Sequence, residues 1–221
     1  MIFFNILLLR KLSSEFIGTA FLVMIVIGSG IMGQNLSQDN LTILIANTIA
    51  TAAGLTTLIW IFISISGAHF NPVVTLVILF KKEITKQEAI LFILVQFLGG
   101  LLGVLLTHAM FDLSLIQFST NDRSGNPFYL AESIATFGLL ITILGVRKFN
   151  FVAVGPAVGL YIAAGYWFTS STSFANPAVT LARGFTDTFT GIDPMVILPF
   201  ILSQILGAIL AMLFMSFLLD E

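Results

Sequence analysis

The chain has 221 residues, of which 57% are hydrophobic and 9% charged, with 22 Phe and a formal net charge of −2. Soluble domains carry about 25% charged residues, so this composition excludes a soluble globular protein and indicates an integral membrane protein, one domain over residues 1–221. The charge balance offers no basic patch for nucleic acid, and the absence of Cys excludes disulfides, thiol catalysis and Cys-ligated metal.

Residues Met1–Leu9 are apolar, but Arg10 and Lys11 follow that run instead of preceding it, and no small-residue cleavage site comes next. This argues against a signal peptide and predicts a short interfacial segment leading into the first span. Charge-free runs then place membrane segments at Phe16–Gln38, Asn40–Phe80, Ala89–Phe111, Ser133–Val146, Phe149–Ala182 and Pro194–Leu219. A crossing helix needs about 20 apolar residues. The second and fifth runs are too long for one crossing and too short for two. The fourth, at 14 residues, crosses only if Glu132 lies within it and the helix starts near Pro127.

The two overlong runs share a motif: Ser66–Leu76 reads SGAHFNPVVTL and Thr172–Leu181 reads TSFANPAVTL. Asn is a good helix N-cap, and Pro suits the first helical position, whose N–H has no partner within the helix. Each Asn-Pro therefore predicts a helix start. From Asn71 only ten residues remain before Lys81-Lys82, a rise of about 15 Å, or half a hydrocarbon core. The prediction is two half-helices whose N-termini stop inside the membrane, where irregular backbone survives only if protein buries it or it lines an aqueous cavity. Short, interrupted segments in matching positions of two halves point to a transport site. The expected fold is an all-α membrane protein with six spans and two re-entrant half-helices.

Seven of the nine Lys and Arg (Arg10, Lys11, Lys81, Lys82, Lys86, Arg147 and Lys148) fall on one face of this topology. The positive-inside rule makes that face, and both termini, cytoplasmic. Arg123, Arg183 and the longest polar connection, Asp112–Asn126, fall on the other. Glu15-Phe16-Ile17-Gly18-Thr19 matches Glu132-Ser133-Ile134-Ala135-Thr136, and Gln96-Phe97-Leu98-Gly99 matches Gln204-Ile205-Leu206-Gly207. Three spans per half make the repeat inverted, with one copy at about 12–111 and the other at about 127–219. The half-helices should meet tip to tip near the midplane.

With His69-Phe70-Asn71-Pro72-Val73 and Ala175-Asn176-Pro177-Ala178 set in an inverted six-span repeat, the chain resembles the aquaporin, or major intrinsic protein, superfamily from Glu15 to Gly207. That family usually has Asn-Pro-Ala twice, whereas the first copy here is Asn-Pro-Val. The resemblance implies a right-handed bundle, a pore through each protomer and a homotetramer in membrane lipid. No cofactor or metal is expected.

Half-helix N-termini carry roughly half a positive charge each. With Asn71, Pro72, Asn176 and Pro177 they would form a pore centre that offers donors to a neutral hydroxyl-bearing solute and a barrier to cations. The alternative is that both Asn are helix caps only. By resemblance, carbonyls of Ser66–His69 and Ser171–Phe174 line the conduit. Glu15 and Glu132 are ionisable groups inside spans, expected to brace backbone N–H groups of the re-entrant loops ahead of serving as a proton relay. His69 is read as a loop brace ahead of a pore gate, and His108 as a membrane-interface residue. Gly99 with Gly103, and Gly155 with Gly159, suit close helix contacts. Tyr166 and Trp167 fit either an interfacial belt or packing.

Family members usually carry Arg in the outer constriction, three residues after the second Asn; here that position is Val179. Gapless counting puts Thr51 where water-selective members have an aromatic and Ala164 where they often have His, with Ser173 as the fourth lining residue. The expected constriction of Thr51, Ala164, Ser173 and Val179 is wide and uncharged. Loss of a guanidinium removes a fixed cation and a fork of donors, so solutes larger than water should enter. Thr180 stands where glycerol facilitators typically have Asp. The stretch from Asn176 to Phe189 is similar to bacterial members associated with arsenic resistance, which conduct arsenite and related metalloids; that similarity implies a bacterial inner membrane. Arg183, four residues after Val179 and on nearly the same helix face, either lines the vestibule in partial replacement of the missing Arg or pairs with Asp187 at the membrane surface.

These features support a passive channel for water and small neutral solutes such as glycerol-like polyols, urea or arsenite. A coupled secondary transporter also uses inverted repeats and broken helices, but needs a titratable or ion-binding residue at the midplane, where this chain has amides. An intramembrane enzyme lacks an evident catalytic or metal set in this sequence.

Overall fold

The computed structural model describes residues 6–219. Six helices are long and apolar enough to cross a membrane: α1 (Ile6–Leu36), α2 (Asn40–Phe62), α4 (Lys86–Met110), α5 (Asn126–Phe149), α6 (Val154–Phe168, entered through a 3-10 turn at Phe151–Ala153) and α8 (Ile197–Leu218, entered through Pro194–Val196). Between them, α3 (Pro72–Phe80) and α7 (Pro177–Arg183) have nine and seven residues, rises of about 14 and 10 Å that reach no more than half-way across a bilayer. The expected interfacial segment is corrected in part. Ile6–Leu9 form the first turns of α1, in which Lys11 reaches Glu88 of α4 at 2.7 Å. Met1–Asn5 lie outside the described residues.

Local chemistry sets the helix starts. Asp39 caps α2 by accepting from the Leu41 and Thr42 N–H groups, Thr85 caps α4 through the Glu88 N–H, and Asn71 and Asn176 cap the half-helices with Pro in the first turn.

The inverted repeat is visible in the packing, where α1 lies on α4 as α5 lies on α8. A Cβ at Gly99 would strike the Phe16 carbonyl oxygen, and a Cβ at Gly207 the Ser133 carbonyl oxygen. Phe16 and Ser133 each follow the buried Glu of their own half, so the same missing side chain lets backbones approach at equivalent places. The half-helices enter from opposite faces and touch end to end.

The connection after α4 runs beside residues 184–193: Gln117 N donates to Phe185 O, Ser119 N to Gly184 O, and Asp193 N to Asn121 O. His108 is no interface residue. It is fully buried under this connection, with Nδ1 2.9 Å from Leu115 O and Nε2 2.8 Å from Thr186 Oγ1. Of the two α6 aromatics, Trp167 is 49% exposed and fits the belt, whereas Tyr166 is buried and packs.

Candidate functional site

Each half-helix is reached by a loop that the backbone holds against its preference. Ala68 and Phe70 have φ of 51° and 48°, and Ser173 and Ala175 have 53° and 47°. Left-handed conformations in non-glycine residues cost about 1–3 kcal/mol each and persist only where surroundings over-determine them. Here the buried carboxylates do so. Glu15 Oε1 accepts from Ser66 Oγ (2.6 Å) and His69 N (2.9 Å), and Oε2 from Phe70 N (2.7 Å) and Gln96 Nε2 (2.8 Å). Glu132 Oε1 accepts from Phe174 N (2.9 Å), and Oε2 from Ala175 N (2.9 Å) and Gln204 Nε2 (2.6 Å). Gln96 and Gln204 in turn donate to Thr75 and Thr180 of the two half-helices. Four donors thus hold the Glu15 carboxylate and three the Glu132 carboxylate.

His69 contributes its backbone N–H to this bracing, its Nδ1 lies 3.1 Å from Thr75 Oγ1, and its ring meets Phe92 edge-on. The same residue also lines the central cavity.

The loops meet at the asparagines. Asn71 Nδ2 donates to Ala175 O at 2.8 Å, and Asn176 Nδ2 donates to Phe70 O at 2.8 Å. An amide NH2 carries two donors, so one N–H of each Asn remains for another acceptor.

A single cavity of about 420 Å³ runs past this junction. One end is bordered by Lys11, Glu83 and Arg147, the last two joined as an ion pair. The middle has Asn71, Asn176 and the two loops on one side and apolar groups such as Leu22, Val26, Leu139 and Val158 on the other; the far end is bordered by Thr51, Tyr166, Ser173, Val179 and Arg183. Pro72 and Pro177 are buried in the first turns of α3 and α7, beneath the asparagines.

Two expectations for the far end are corrected. Ala164 is exposed on the outer side of α6 and does not border the cavity; Ile162 and Tyr166, one helical turn apart on the opposite side, do. The gapless count ran through the irregular Thr169–Ala175 loop, which shifts the helical phase. This end of the cavity is therefore neither uncharged nor free of aromatics: Tyr166 O–H donates to Thr51 Oγ1 at 3.2 Å, and Arg183 joins the wall. Helical side chains lean toward the N-terminus, which carries the Arg183 guanidinium back over Phe174, 3.3 Å from the ring centroid. Arg183 is 3% exposed and its Nε donates to Thr190 O. Asp187 instead accepts from Thr120 N and Oγ1.

Sequence reasoning missed Arg123. From the connection before α5 its guanidinium donates to Gly191 O (3.0 Å), Ser171 O (3.3 Å) and Phe189 O (3.5 Å), and lies 5.2 Å from the centroid of the same Phe174 ring. Its partners are backbone carbonyls, which leave no mark in a sequence.

Comparison with known proteins agrees with this geometry. A family model described as Major intrinsic protein matches residues 3–150. The chain is 46% identical over 213 residues to aquaglyceroporin AqpS of Rhizobium meliloti (strain 1021), covering 96% of this chain and 91% of that one. It is 32% identical over 180 residues to a probable TIP-type aquaporin of Medicago truncatula, covering 76% and 71%. The X-ray structure of the aquaglyceroporin from Plasmodium falciparum superposes with a TM-score of 0.72 over 94% of this chain and 95% of that one, at 21% identity. A family match over more than half of the chain, a relative this similar along almost all of it, and the paired Asn-Pro half-helices lead to one conclusion: the chain belongs to the major intrinsic protein family.

Proposed function

We propose that the protein is a passive membrane channel for water and small neutral solutes, with glycerol-like polyols and urea as the solute class and arsenite as a further candidate. The observation that carries this reading is the meeting of Asn71 and Asn176 inside one continuous cavity. Each asparagine keeps a free N–H for a solute oxygen, and the apolar wall opposite suits the carbon face of a polyol. Two half-helix N-termini directed at the same point oppose cations. A relative named as an aquaglyceroporin, 46% identical to this chain, supports polyol passage.

In this reading residues 1–221 form one channel domain, with repeats at about 12–111 and 127–219. The lysine-rich face is cytoplasmic with both termini, and the protein is a homotetramer in the lipid of a bacterial inner membrane. Thr51, Tyr166, Ser173 and Val179 form the outer constriction. Arg183 lines the vestibule and supplies donors that Val179 cannot. Glu15, Glu132 and His69 brace the loops.

The test is stopped-flow light scattering on proteoliposomes with water, glycerol, urea and arsenous acid gradients, with and without a proton gradient. Flux down each solute gradient, indifferent to protons, is expected. Flux that follows the proton gradient would assign a coupled transporter instead.

A further inference from the structure

The Arg183 end of the cavity holds more positive charge than a channel for neutral solutes requires. Arg183 is buried and Arg123 partly buried, both guanidinium groups lie against the Phe174 ring, and among the described residues neither is in an ion pair. Their hydrogen bonds go to the neutral carbonyls of Gly191, Ser171, Phe189 and Thr190. Glu132, the buried carboxylate of this half, accepts from Phe174 N, Ala175 N and Gln204 Nε2 and pairs with neither guanidinium, and its single negative charge stands against two cations. Asp122 and Asp187 on the same face are exposed, where solvent screens them. A buried charge left uncompensated is costly, and two cations against one buried carboxylate leave a positive balance that an entering anion would offset.

The lining groups fit one kind of visitor. Arg183 makes its one hydrogen bond among the described residues from Nε, so its two terminal amino groups are open to a ligand. Ser173 lines the same end, and its hydroxyl, buried beside Gly165 with no hydrogen-bond partner, reaches a ligand by turning about χ1. The Tyr166 hydroxyl is engaged by Thr51. A neutral polyol needs acceptors as well as donors, whereas an anion needs donors and a positive field, which a low-dielectric wall strengthens. A planar guanidinium matches two oxygens of a carboxylate or sulfonate. We propose that the Arg183 mouth is a binding site for small oxyanions, held by the Arg183 fork and the Ser173 hydroxyl, and that its occupancy slows the passage of neutral solutes. Only the second half of this proposal rests on the channel reading.

The probe is methanesulfonate, permanently ionised and bearing three acceptor oxygens; dimethyl sulfone, neutral and of similar size, is the control. Each is titrated calorimetrically into the purified full-length protein in detergent. Each is also added to both sides of proteoliposomes during urea flux, at an ionic strength held with sodium chloride, which carries no oxyanion. Methanesulfonate is expected to bind and to slow urea, and dimethyl sulfone to do neither. Arg183→Gln should abolish binding, and Arg183→Lys, which keeps the charge and loses the fork, should weaken it. Ser173→Ala should weaken it about tenfold, the loss of one hydrogen bond to a charged group. Because the Ser173 hydroxyl has no protein partner, Ser173→Ala removes no hydrogen bond from the fold and remains informative if Arg183→Gln does not fold. Absent binding heat in the unmodified protein, or equal binding of dimethyl sulfone, overturns the anion site. Binding without slowed urea overturns the block. Methanesulfonate binding in a protein that passes none of water, glycerol, urea and arsenous acid sinks the channel reading and leaves the anion site standing.

Discussion

Asn71 and Asn176 are tied by reciprocity: each donates a side-chain N–H, at 2.8 Å, to the carbonyl of the residue immediately before the other. Each oxygen meanwhile caps its own half-helix, on Val73 N for Asn71 and on Ala178 N for Asn176. One residue type thus starts both half-helices and fastens their tips together.

Replacing either asparagine by Ala should therefore cost two interactions. A lost N-cap contributes about 1 kcal/mol, and a buried carbonyl left unpaired about 1–3 kcal/mol. Asn71→Ala and Asn176→Ala should each lower stability by about 2–4 kcal/mol and by similar amounts, read from denaturant unfolding in detergent. A large inequality between them would mean that the reciprocal geometry does not set the energetics.

The carboxylates make a graded prediction. Glu15 accepts four hydrogen bonds and Glu132 three. A Gln at either place offers one acceptor oxygen and sets an NH2 against backbone N–H donors, so both Glu15→Gln and Glu132→Gln should destabilise by several times the about 1 kcal/mol of an ordinary hydrogen bond. Glu15→Gln should be the worse, as seen in folded yield and unfolding midpoint. Equal midpoints would mean that the Ser66 contact adds nothing.

At the Arg183 end of the cavity two α6 residues separate by direction. Tyr166 borders the cavity and Ala164 faces outward. Tyr166→Ala should raise glycerol and urea permeability relative to water, by removing a ring and its tie to Thr51. Ala164→Phe should leave all three fluxes unchanged. A change on enlarging Ala164 would restore the gapless reading of the constriction.

How far the chain could be read depended on what kind of contact a residue makes. The half-helices were legible because Asn-Pro in an overlong apolar run, closed by Lys81-Lys82, leaves few alternatives to a half-crossing. The positions of Glu15 and Glu132 were legible because a carboxylate inside a span must find donors, and loop N–H groups need acceptors. Tyr166 was not, since counting back from Asn176 passes through a non-helical loop and loses the phase of α6. His108 and Arg123 were not, because Thr186 lies 78 residues from His108 and the carbonyls that hold Arg123 lie 48 to 68 residues from it, and no spacing rule reaches that far.

Asp39 gives a prediction in pH. Hydrogen bonds from the Thr42 hydroxyl and backbone hold its carboxyl below the ordinary value of 3.8. A depressed folded-state pKa contributes stability that is present above the unfolded value and is lost as pH falls through the folded one. The start of α2 should therefore stay capped at neutral pH and fray only below 3.8. Amide hydrogen exchange of Leu41 and Thr42, corrected for its intrinsic pH dependence, should lose protection in that window and not above it. Asp39→Ala should be unprotected at every pH.

The paired glycines allow the repeat itself to be tested. In a helix interior, Gly→Ala ordinarily stabilises by about 1 kcal/mol, and Gly145 of α5 should follow that rule, since a Cβ there meets only the Met215 Cε at 3.6 Å. Gly99 and Gly207 should reverse it. Their added methyls would strike the carbonyl oxygens of Phe16 and Ser133, and a backbone carbonyl, unlike a side chain, has no rotamer by which to withdraw. The helices must separate instead, an overpacking cost of about 1–3 kcal/mol. That separation would also shift Glu15 or Glu132 relative to its loop, so solute flux should fall together with the unfolding midpoint. A neutral or stabilising Gly99→Ala or Gly207→Ala would show that α1 on α4 and α5 on α8 are not held by this close approach.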